Sequence, residues 1–87
     1  MCGGHSAVKP ANDEVTQMVN SLRNQIESHM NAQYEVFEAV SYTSQVVAGT
    51  NFVVKVHVGN DQHISAKIFR PLPHAGTELQ VSDVHAL

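Results

Sequence analysis

The chain is poor in the residues that staple, thread or charge a protein strongly: it has one cysteine, three prolines, no tryptophan and five Lys+Arg among 87 residues. A lone Cys2 excludes an internal disulfide, so the fold is expected to be stable without covalent links, as in a reducing compartment. The few basic residues are scattered and outnumbered by eight Asp+Glu, for a net charge of −3. A nucleic-acid surface needs a basic patch or stripe, and none is present. No run approaches the ~18 consecutive apolar residues of a membrane helix. The opening Met1-Cys2-Gly3-Gly4-His5 has neither the basic start nor the apolar core of a secretory leader, which points to a cytosolic protein without membrane attachment.

Shortness is the remaining scarcity. Eighty-seven residues leave room for one core, so a single domain spanning 1–87 is expected. A buried small-molecule cleft of roughly 300 Å³ or more would consume much of that interior. A module that acts on something larger is favoured over a self-contained enzyme.

What the chain does have is clear periodicity. Residues 1–11 are mostly small, with Val8 the only sizeable aliphatic, and read as an exposed mobile arm. From Val15 the apolar residues Met18, Val19, Leu22, Ile26 and Met30 recur at helical spacing, predicting one long helix over about 13–31. Asn12 is placed to cap it, with Asp13 and Glu14 in the first turn where the helix dipole favours negative charge. After Tyr34 the pattern is that of strands. Val36, Val40 and Tyr42 share one parity in a run reaching Val46-Val47, and Phe52, Val54, Val56 and Val58 alternate strictly with polar residues. Gly59-Asn60-Asp61 is a turn, Ile64, Ala66 and Ile68 form another inward face, and Leu79 and Val81 mark a last strand. The expected fold class is α+β, one long helix packed across a four- to five-stranded antiparallel sheet.

Catalytic chemistry finds no residues. Cys2 sits on the arm with nothing to hold it near an imidazole, and no nucleophile elbow, P-loop or carboxylate pair occurs. No catalytic residue, cofactor or metal is therefore expected. The six histidines lack the spacing of a closed metal site. His57 and His63 are nonetheless equidistant from Asn60 and share the polar parity, so they are expected to face each other across a hairpin as a solvated pair or, at most, two ligands.

Binding has more to work with. Gln45-Val46-Val47-Ala48-Gly49 puts apolar residues at a hairpin tip, where polar turn residues are the default. Leu72 stands between Pro71 and Pro73 in a second loop. In a meander these two loops emerge at the same end, giving an apolar edge of the kind that marks a partner surface. Gly49, lacking a Cβ, suits a positive φ at the tip, and an arginine there is expected to leave the fold intact.

Gln45-Val46-Val47-Ala48-Gly49 resembles the Q-x-V-x-G signature of the cystatin superfamily, and its continuation through Thr50-Asn51 resembles the intracellular branch, the stefins. The N-terminal Cys2-Gly3, the Lys55 to Gly59 run and Leu72-Pro73-His74 fall in the family's order, and the likeness covers essentially the whole chain. The resemblance implies the cystatin-like fold and a reversible, tight, competitive inhibitor of papain-like cysteine proteases such as cathepsins B, H, L and S. It implies a wedge of three parts entering the protease cleft. Gly3 corresponds to the arm glycine, with Cys2 and Gly4 beside it; Gln45, Val46, Val47, Ala48 and Gly49 form the central loop; Leu72, Pro73 and His74 form the second. Three departures are visible: Gly4 doubles the arm glycine, Phe52 stands where tyrosine is common, and the sequence stops at Leu87, short of the tail the resemblance would lead one to expect. The other reading of the same residues is a non-inhibitory module, either weakly metal-binding through His57 and His63 or self-associating as a domain-swapped dimer hinged at 46–49.

Overall fold

A computed structural model describes residues 7–72 and 78–87. In chain order it contains β1 (Lys9–Pro10), α1 (Asp13–Ser21), α2 (Arg23–Met30), β2 (Glu38–Val47), β3 (Gly49–His57), β4 (His63–Arg70) and β5 (Gln80–Ala86). The strands form one antiparallel sheet in the order β1-β2-β3-β4-β5, and the helical segment packs against one face.

The core is the meeting of two one-sided patterns. Val15, Met18, Val19, Leu22 and Ile26 from the helical side are buried against Phe52, Val54, Val56, Val58, Ile64, Ala66, Ile68 and Val84 from the sheet. Period 3.6 on one element and period 2 on the other put these residues in a single layer. The α1 start is as the sequence predicts: the Asn12 side-chain oxygen accepts from the Val15 amide at 2.9 Å.

The helix and the parity of β2 differ from expectation. The long helix is divided at Leu22, whose φ of −102° and ψ of 6° leave the helical region. The cause is local: the Ser21 hydroxyl donates to the Met18 carbonyl at 2.8 Å. That carbonyl is also the acceptor of the Leu22 amide, which is shared between Met18 and Val19 oxygens at 3.2 and 3.1 Å. Side-chain competition for a helical carbonyl bends the ladder without interrupting the apolar stripe. In β2 the parity changes at a bulge between Ala39 and Ser41, so Ala39 and Tyr42 pack on the core while Val36 and Val40 stay 39% and 40% exposed. Sequence alternation cannot register an extra residue that a neighbouring strand leaves unpaired.

Two residues of the expected 1–11 arm join the sheet. Lys9 and Pro10 pair with Tyr42 and Ser41, and the Ala11 amide donates to the Val40 carbonyl at 3.0 Å. Proline is tolerated there because β1 is an edge strand. Among the described residues, no helix is long and apolar enough to cross a membrane.

Candidate functional site

The candidate site is one end of the sheet. The β2–β3 hairpin closes with Gln45 opposite Asn51, Val46 opposite Thr50 and Val47 opposite Gly49, which leaves Ala48 at the apex. Val46 is 76% exposed and Ala48 is exposed, so the apolar tip is presented to solvent rather than folded back. Thr50 pairs on its other side with Arg70, the last residue of β4, so Pro71 and Leu72 leave the sheet beside that tip. Leu72 is exposed and Pro71 half-buried. Antiparallel pairing of β1 makes the chain run backward from Lys9 along β2 in the direction of Val47, and Val8, the one aliphatic of the arm, is 70% exposed there. Three segments distant in sequence thus head for one edge.

Gly49 behaves differently from its neighbours. It has a φ of +127° and is buried rather than exposed. A Cβ at this position would lie 2.6 Å from the Arg70 carbonyl oxygen and 2.7 Å from Cζ of Phe69. No L side chain fits that space, and few adopt that φ. Gly49 is therefore a fold requirement at the base of the tip, which corrects the expectation that arginine there leaves the fold intact. It lets Val46 and Ala48 project by bringing β3 close under the end of β4.

Arg70 and Phe69 were not singled out by sequence reasoning. The Arg70 guanidinium lies 5.1 Å from the centre of the Phe52 ring, and its Nη1 is 3.1 Å from Oε1 of Glu14 at the start of α1. The ion pair is exposed and worth little by itself. Stacking and pairing together still hold the end of β4, from which Pro71 and Leu72 depart. A basic residue just before Pro71-Leu72-Pro73 was the only signal available. Cys2, Gly3, Gly4, Pro73 and His74 lie outside the described residues.

Gln45 to Gly49, Pro71 and Leu72 carry no ionisable side chain. The described part of the edge offers small apolar groups and backbone, with the exposed Arg70–Glu14 pair at its base.

A helical segment laid across an antiparallel meander, with an apolar tip beside the point where Pro71 and Leu72 leave the sheet, defines a small α+β domain of the cystatin type. A model of the cystatin domain matches residues 3–84. The chain is 46% identical over 83 residues to Cystatin-B of Macaca fuscata fuscata, covering 95% of this chain and 85% of that protein. It is 43% identical over 83 residues to Cystatin-B of Homo sapiens, with the same coverage. Cystatin-A1 of Sus scrofa is 42% identical over 82 residues, or 94% of this chain and 80% of that relative. The chain belongs to the cystatin family.

Proposed function

We propose that this protein is a reversible, tight-binding, competitive inhibitor of papain-like cysteine proteases, cathepsins B, H, L and S among them, and not an enzyme. The supporting observation is the convergence of three chain segments on one sheet edge whose outermost described side chains, Val46, Ala48, Leu72 and Val8, are small or aliphatic and exposed. In this reading Gln45, Val46, Val47, Ala48 and Gly49 enter the cleft centrally, Leu72, Pro73 and His74 on one side, and Cys2, Gly3 and Gly4 on the other.

The physical account follows from the residues. Fully burying an aliphatic side chain such as Val46 or Leu72 contributes about 1.5–3 kcal/mol. The hairpin is already ordered by its register, which limits the entropy lost on docking. Contact with a cleft is expected to bury roughly 1,600 Å² in total. The inhibitor is spared cleavage because a tight turn does not offer an extended peptide carbonyl in near-attack geometry to the catalytic thiolate. Action as a monomeric single domain in the cytoplasm completes the proposal, since opening the β2–β3 turn into one continuous strand would remove the Val46–Ala48 tip.

Titration of active papain with the purified protein tests it. The expected result is a linear fall to zero activity near one equivalent; unchanged activity at micromolar excess overturns the reading.

A further inference from the structure

His57 and His63 lie at the opposite end of β3 from the tip. They are direct partners in the β3–β4 register, and their rings are 5.0 Å apart between centres with a 47° tilt. Both are half-buried and occupy the sheet face turned away from the helices, since Val56, Val58 and Ile64 beside them point into the core. Among the described residues neither imidazole has a hydrogen bond or ion pair with another side chain. Their nitrogens remain available as ligands.

The surrounding structure holds the two rings in place. The turn between them is closed by the Val58 amide donating to the Gln62 carbonyl at 3.0 Å and the Gln62 amide to the Gly59 carbonyl at 2.8 Å. On the far side of β4, the Leu87 amide donates to the His63 carbonyl at 2.9 Å. On the near side, Glu38 of β2 is the register partner of His57, which puts an exposed carboxylate on the same face in the same row. Lys55 sits one row along that face and disfavours a cation; Glu38 offsets it.

We propose that His57 and His63 form a two-imidazole chelate for a divalent first-row transition ion, with Glu38 supplying favourable charge and water completing the coordination. Imidazole is a ligand for copper, nickel and zinc rather than for calcium or magnesium, and a pair already juxtaposed by strand pairing loses little freedom on binding. Among the described residues, no three His, Cys, Asp or Glu side chains come together as a metal cage, so this is an open two-ligand site and not a closed structural one. A bridge between β3 and β4 ties together strands that separate on unfolding, so the ion stabilises the folded chain. The site is about 26 Å from Gly49, at ~3.3 Å per residue along β3, and is independent of the proposed inhibitory edge.

The test is titration of the isotope-labelled protein with nickel chloride, following amide cross-peaks. Saturable paramagnetic broadening is expected first at residues 56–58 and 62–64, with apparent affinity falling at least tenfold in His57→Asn and in His63→Asn and unchanged in His29→Asn. The thermal midpoint is expected to rise by about 6–11 °C at tenfold excess over the dissociation constant, a rise lost in either variant. Papain inhibition should be the same with and without the ion. Broadening centred on Cys2 and His5, or an affinity unaffected by His63→Asn in a well-dispersed spectrum, overturns the proposal and leaves the inhibitory reading untouched.

Discussion

The two hairpins that share β3 are built from opposite materials. At the β3–β4 turn the chain reverses through Gly59, Asn60 and Asp61, all with positive φ, and the loop residues Asn60, Asp61 and Gln62 are polar and exposed. At the β2–β3 turn the same task falls to Val47, Ala48 and Gly49, with Val46 and Ala48 exposed and the only strained backbone placed in the buried glycine. Polar turn residues satisfy their own backbone and ask nothing of a partner. An exposed apolar tip lowers its free energy only when something covers it. The β3–β4 turn closes a sheet; the β2–β3 turn closes a sheet and leaves apolar surface exposed.

The ends differ in anchorage too. Near the polar turn, the Glu27 carboxylate accepts from the Tyr34 amide at 2.9 Å and pairs with Nε of Arg23 at 3.4 Å. Arg23 also donates to the Tyr34 carbonyl and stacks 5.1 Å from the Phe37 ring. That cluster ties the exit of α2 to the entry of β2. At the apolar end Arg70, on Phe52 and Glu14, is an anchor that holds the base of the edge while leaving Val46, Ala48 and Leu72 exposed.

Breaking the base of the tip should have the largest effect. Gly49→Arg forces a side chain into the Arg70 carbonyl and the Phe69 ring at a φ that disfavours it, and is expected to destabilise the fold by about 3 kcal/mol as well as to weaken papain inhibition. Urea unfolding measures the first effect. A midpoint equal to that of the parent protein would return Gly49 to the role of a free tip residue.

Changing the tip itself should separate binding from stability. Val46→Asp, at a side chain 76% exposed, is expected to move the thermal midpoint by no more than a degree or two while weakening papain inhibition about tenfold or more, the equivalent of one lost apolar contact. Inhibition unchanged at equal stability would remove Val46 from the contact surface.

The polar turn should respond in the reverse sense, and least. Asn60→Val places a β-branched residue at a φ of 52° and is expected to destabilise by about 1–2 kcal/mol, with the inhibition constant for papain unchanged. A change in inhibition comparable with that of Val46→Asp would mean that the two ends are coupled through β3.

Much of this was legible in the chain, because much of it depends on neighbours a few residues apart. The helical stripe from Val15 to Ile26, the Asn12 cap, the alternation from Phe52 to Val58, the Gly59-Asn60-Asp61 turn, the facing histidines and the apolar edge all follow from local spacing. The sequence by itself determined which faces must be buried and which tips carry apolar residues. Only the tertiary structure decided that Lys9 and Pro10 join the sheet, that a bulge at Val40 turns β2 over, that Ser21 bends the helix at Leu22, and that Gly49 is buried under Phe69 while its neighbours project. The helix bend depends on which acceptor a serine hydroxyl takes, which spacing does not specify. The other three depend on which strand lies beside which and how closely two backbones approach, a matter of contacts between residues far apart in the chain that no local pattern encodes.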